Sequence, residues 1–183
     1  MEIVEDRVFY HIYRKVSWNP YSMWELGHTY FIGKERNPFI KYYDLTDCVY
    51  NQNDNQSLIS AIRHYQIYVR EQIFEEVRKE FFPNMPSRFK GLWVIEEDIK
   101  TLNYWWKVFG ESGTIIKLIL NGKIHRGNEQ YLQLTGREAD FIRQQAFKYW
   151  SGSKGLNPNE VVFEGFAKVY EIVNPQKIFK GGV

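Results

Sequence analysis

Hydrophobic and polar positions alternate with a period of two from Arg7 to Val16, placing Phe9, His11 and Tyr13 on one face and Val8, Tyr10 and Ile12 on the other. Both faces carry apolar residues, which predicts a strand covered on two sides. Asn19-Pro20 breaks it. Met23 to Gly33 reads as a short helical turn stopped at Gly27, then a strand from Thr29 to Ile32. Pro38 to Asn55 is polar and lacks a period, so irregular chain is expected there. Ser57 reads as an N-cap, after which Leu58, Ile62, Tyr65, Val69, Ile73, Val77 and Phe81 recur at spacings of three and four. That stripe predicts a long helix whose apolar face packs on the core, ended by Pro83 and Pro86.

Gly91 to Ile95 is apolar and short enough for a buried strand. Asp98 caps a second helix with the face Ile99, Leu102, Trp106 and Phe109, closed by Gly110 and Gly113. Thr114 to Leu120 is a strand, and Asn121-Gly122 predicts a hairpin turn into Lys123 to His125. A third helix is expected from Arg137 to Trp150, with Ala139, Ile142, Ala146 and Tyr149 aligned and SGSKG as a flexible exit. Val161 to Val173 reads as two strands hinged at Gly165, or one strand bulged there. Strands interleaved with helices and hairpin-like pairs argue an α+β class. No repeat or linker divides the chain, and its 183 residues suit one domain spanning 1–183.

Composition narrows the function. Aromatic residues make up 17% of the chain and the formal net charge is +2, which excludes a disordered chain. A pI near 8.5 lies below the value of about 9 usual for a dedicated nucleic-acid binder. Cys48 stands alone, so no intrachain disulfide forms, and His28, His64 and His125 lack metal-ligand spacing. No apolar run reaches signal-peptide or transmembrane length, which predicts a soluble, cytoplasmic protein. P-loop, GxSxG, HExxH and Rossmann signatures are absent.

Three separated blocks carry the candidate chemistry: His11 in its strand, KGLWVIEEDIKTLNYW from Lys90 to Trp105, and NEVVFEGFAKVYEIV from Asn159 to Val173. In order and local texture they resemble the ADP-ribosyltransferases of the His-Tyr-Glu class, shared by diphtheria-type toxins and poly(ADP-ribose) polymerases, with this chain a divergent bacterial-type member. The resemblance implies an α+β fold with a split β-sheet core and flanking helices. It also implies a glycosyltransferase that cleaves nicotinamide from NAD and passes ADP-ribose to an acceptor or to water, with NAD as substrate and no metal.

By the same resemblance His11 holds the adenosine ribose and Ile12 holds the nicotinamide amide through its backbone, although the family prefers a small residue at that place. Gly91, Leu92, Trp93 and Val94 followed by Tyr104 match the second block, with Trp93 where Tyr is usual. Eleven residues separate Trp93 from Tyr104, a spacing that suits two rings bracketing one flat ligand. Asn159-Glu160 before two apolar residues is the most telling local match and makes Glu160 the catalytic carboxylate, with Glu164 its rival. A carboxylate near the ribose gains interaction as the sugar becomes oxocarbenium-like. Pro158 stands where arginine-modifying relatives carry an acid or amide, so arginine is not the favoured acceptor; protein, nucleic acid, small molecule and water stay open. Arg14, with Lys15, Lys34 and Arg36, is a candidate for the pyrophosphate. Each residue also has a plain structural reading, as core imidazole, core aromatic or solvated charge. The alternative function is a non-catalytic module that keeps the fold and stacks a nucleotide or a partner on its aromatics.

Overall fold

The alternation read at the N-terminus governs how the layers assemble. In the computed structural model, which describes residues 1–16, 19, 24–45, 51, 53–134 and 136–179, strand β1 (Glu2–Tyr13) buries both of its faces. Phe9 and Tyr13 join one apolar cluster and Tyr10 and Ile12 another. The strand starts five residues earlier than its periodicity predicts, because a register shift between Val4 and Arg7 lets the acidic N-terminus continue the pairing.

Strands β2 (Thr29–Ile32), β3 (Leu92–Glu96), β4 (Thr114–Asn128) and β5 (Asn159–Val173) complete an antiparallel sheet in the order β2-β5-β3-β1-β4. The fold is α+β. Strand β5 pairs along its length with β4, and on its other edge first with β3 and then with β2. Since β4 also pairs with β1 and β1 with β3, the sheet closes on itself. Its inner face is filled by Phe9, Val94, Ile116, Leu118, Leu120, Val161, Phe163 and their neighbours.

The Asn121-Gly122 hairpin does not form, and of the two readings of Val161 to Val173 the single strand holds, for a shared reason. Asn121-Gly122 makes no hairpin: β4 runs straight through it, with Gly122 opposite Gly165 of β5. The two backbones approach so closely there that a Cβ on Gly122 would overlap the Glu164 carbonyl and Gly165 Cα. Both glycines serve this approach rather than a turn. Strand β5 is therefore one strand without a hinge, and its register shift falls near Tyr170 instead of Gly165.

Helices cover the outer face. Helix α1 (Pro38–Leu45) occupies a stretch expected to be irregular, with the Asn37 side chain accepting from the Ile40 amide at 3.0 Å. Helix α2 (Asn55–Phe81) begins before Ser57, capped by Asp54, whose carboxylate accepts from the Gln56 amide at 3.0 Å. Helix α3 (Ile99–Val108) carries the expected Asp98 cap and packs on Tyr10, Ile12 and Ile115. Helix α4 (Ala139–Trp150) starts two residues later than expected and packs with α2 through Phe74, Val77, Ala146, Tyr149 and Trp150; α5 (Pro175–Phe179) closes the described chain. The expectations placed on Cys48, Pro20 and Met23 lie outside the described residues.

The stripe expected on α2 is buried only in part: Ile73 and Val77 are buried, whereas Leu58, Ile62, Tyr65, Val69 and Phe81 are exposed, and Glu71, Phe74, Glu75 and Arg78 are buried beside Ile73 and Val77. Apolar periodicity does not specify which side of a helix meets the sheet when charged groups on the other side find buried partners. Phe74→Ala should therefore cost about 3–5 kcal/mol in urea unfolding, whereas Ile62→Ala should stay within about 0.5 kcal/mol. Equal costs at the two positions would refute this orientation of α2.

Candidate functional site

Glu160 sits at the head of β5, where alternation turns Val161 and Phe163 inward and Glu160 outward toward α2 and α4. Buried Asn128 of β4 fixes the approach to that position by donating to the Asn157 carbonyl and to Asn159 Oδ1. The Glu160 carboxylate meets two donors on one oxygen: Arg88 Nη1 and the Tyr149 hydroxyl, the latter at 2.5 Å, both reach Oε1. No described residue donates to Oε2. The side chain keeps 12% of its surface exposed, against 3% for Arg88 and 1% for Glu71.

Arg88 is held from its other side by Glu71 of α2. Nε donates to Glu71 Oε2 at 2.9 Å and Nη2 to Oε1 at 3.0 Å, a bidentate pair, while Arg70 donates to the same Oε1 at 2.7 Å. Two arginines and two carboxylates thus balance in the interior. Burial pushes the Glu71 carboxyl up, but Arg88 and Arg70 outweigh it and hold the group at about 2. Burial drives the Tyr149 hydroxyl up to about 12, so it stays protonated and donates. The guanidinium of Arg88 also lies over the rings of Tyr149, Trp93 and Phe74, at 5.2, 5.5 and 5.9 Å.

His11 lies on the inner side of β1, between Phe9 and Tyr13, and its ring is 5.4 Å from that of Trp24. Pairing between β1 and β3 stops at Tyr10 opposite Ile95. Beyond that point His11 Nδ1 reaches the Trp93 carbonyl at 2.9 Å, so a side chain takes over where the strands part. The carbonyl only accepts, which puts the proton on Nδ1. Burial lowers the imidazole to about 4 despite this bond, and the ring is neutral at pH 7.

The blocks therefore meet in a chain of contacts that crosses the sheet: His11 to the Trp93 backbone, the Trp93 ring to Arg88, and Arg88 to Glu160. They do not share one cleft. Trp93 and Glu160 lie on the outer face, His11 on the inner. The expected bracket of Trp93 and Tyr104 does not form, since the ring against Trp93 is Phe39 and the ring against Tyr104 is Trp105. Tyr104 instead donates to Glu129 at 2.5 Å, and that bond pushes its hydroxyl up to about 12. Ile12 packs under α3, and Arg14 lies over the Phe109 ring at 4.5 Å. Of the other basic candidates Arg36 pairs with Asp44. The rival Glu164 accepts from the Ser87 amide at 2.8 Å and from Lys123 at 2.9 Å. Arg88, Glu71 and Tyr149 are the members of the site that sequence reasoning missed. A usable signal existed: Glu71, Glu75 and Arg78 share a helix stripe with Phe74, and charges on such a stripe require buried partners.

A family model described as protein of unknown function (DUF2441) matches residues 9–175, a span that contains every residue of this site. The chain belongs to that family. No curated protein matches it. Among the described residues of this DUF2441 chain no helix is long and apolar enough to cross a membrane, and no group of three or more His, Cys, Asp or Glu is arranged to hold a metal ion.

Two expectations follow from the buried charges. His11 and His125 titrate near 4 when folded against an ordinary 6.5, so the unfolded chain takes up protons that the native state refuses. Stability is full above pH 6.5 and falls as pH drops toward 4; the Glu71 contribution, present above its ordinary 4.5, is lost as pH falls further toward 2. Thermal unfolding followed by circular dichroism should show this staged decline, and a midpoint constant from pH 7 to 4 would contradict it. Glu71→Gln should cost about 3–5 kcal/mol because it strips a buried guanidinium of its main partner, while Glu97→Gln at the surface should cost under about 1 kcal/mol.

Proposed function

We propose that this chain is an NAD-binding, ADP-ribosyltransferase-like enzyme in which Glu160 promotes the loss of nicotinamide. The observation that carries the reading is the half-engaged carboxylate: Oε1 is held by Arg88 and Tyr149 while Oε2 takes no hydrogen bond from a described residue. A carboxylate fixed in this way needs no reorganisation to stabilise positive charge growing on a ribose. Further support comes from the Trp93 ring, which lies beside Arg88 and offers an aromatic surface near the same carboxylate. His11 acts in this reading through the Trp93 backbone, and NAD serves as substrate rather than as a resident group. The acceptor of ADP-ribose is left open.

A second reading has its own observation. His11 and Glu160 lie on opposite faces of the sheet, and Arg88 neutralises the carboxylate, which favours a non-catalytic module that binds a nucleotide or a partner on a transferase-like scaffold.

Calorimetry with NAD, together with nicotinamide release by wild type and Glu160→Gln, tests both. The enzyme reading expects binding by both proteins and a loss of release of about 100-fold or more in the variant. Binding without release by either protein selects the module. No binding at millimolar NAD sinks the proposal.

A further inference from the structure

We infer that Arg88 and Tyr149 are positioning residues for Glu160, fixing its carboxylate through Oε1 so that Oε2 is the one acceptor it presents to a ligand. The inference rests on the reading of Glu160 as the acting carboxylate, and it adds how that group is held and which atom meets the ligand.

An unrestrained glutamate samples several rotamers and offers either oxygen. Here the two donors are themselves immobilised. Arg88 is 97% buried, and Nε and Nη2 are held in the bidentate pair with Glu71 while Nη1 also reaches the Tyr149 oxygen at 3.1 Å, which fixes the plane of the guanidinium beside Glu160. Tyr149 is fully buried with its ring against Phe74 and Trp150. Gly127 of β4 leaves the space for that ring, since a Cβ at Gly127 would fall on the ring carbons. The strand side is equally fixed, because Gly127 pairs with Glu160 and Asn128 with Asn159.

Two donors braced by α2, α4 and β4 thus meet one oxygen atom of β5. A fold that needed only charge balance would be served by one ion pair; here a neutral phenol and a cation meet the same oxygen, and no described residue donates to its twin. Oε2 is the acceptor that a hydroxyl of a sugar ring satisfies, and the ligand chemistry implied is a neutral hydroxyl donor rather than an anion.

Tyr149→Phe tests this, because it keeps the ring and removes one donor; Arg88→Lys is the companion, keeping the charge and losing the fork. Two readouts are taken on each folded variant: the carbon-13 resonance of the Glu160 carboxyl carbon, assigned with Glu160→Gln, and steady-state nicotinamide release from NAD. Positioning expects the resonance to move or broaden in Tyr149→Phe, with kcat lowered about 10- to 100-fold and KM changed less than about 2-fold. Arg88→Lys, where it folds, should show the same split. An unmoved resonance in folded Tyr149→Phe overturns the inference, whatever the change in thermal midpoint. Absence of release by wild type fails the enzyme reading instead, and the resonance still decides whether Arg88 and Tyr149 set the carboxylate.

Discussion

The guanidinium of Arg88 ties together parts of the molecule that are distant in sequence. It receives Glu71 from α2, Glu160 from β5 and Tyr149 from α4, and it covers the Trp93 ring of β3. Removing charges from water is expensive, and the cost is recovered only when hydrogen bonds satisfy the buried groups completely. The helix layer must therefore dock in one orientation, the one that delivers Glu71 to Arg88. This explains how α2 turns a face bearing glutamates and arginines inward and leaves Leu58, Ile62, Tyr65 and Val69 outside. A second pair on the same face, Glu75 with Arg78 and Ser87, reinforces the orientation.

The sheet supplies the frame that this interaction needs. Long strands β4 and β5 run together with a close backbone approach at Gly122 and Gly165, and β5 pairs with β3 and β2 on its far edge. Closure then places the two faces of β1 in different surroundings, one in the filled interior and one under α3. The same closure assigns His11 inward and Trp93 outward, leaving the peptide carbonyl of Trp93 as their link.

On the proposed reading the site is built from a carboxylate with one oxygen that accepts from no described residue, an aromatic ring and a fixed cation. It differs from the arrangement implied by resemblance in two respects: Tyr104 answers to Glu129 and not to a ligand shared with Trp93, and His11 reaches Trp93 from the other side of the sheet. The chemistry is thereby concentrated around Glu160. Arg88, Glu71 and Tyr149, none of which stands in a recognised motif, set its environment.

Local pattern was enough to locate most strands, since period-two alternation and β-branched runs report directly on two-sided burial, as β1 and β4 illustrate. It also located Asp98 as a cap, because capping involves neighbours within one turn. Glu160 was singled out by the resemblance that Asn159-Glu160 before two apolar residues carries. Tertiary structure alone decided the rest. Asn121-Gly122 carries the same local signal whether the chain turns or a second backbone passes close by, and only the partner strand resolves it. The apolar stripe of α2 is buried at Ile73 and Val77 but exposed from Leu58 to Val69, and the burial of Glu71 beside it depends on a partner 17 residues away at Arg88, which in turn reaches Glu160 of β5. Hydrophobic periodicity encodes which residues share a face, whereas the identity of the inward face depends on pairing energies between groups that meet only once the sheet has closed.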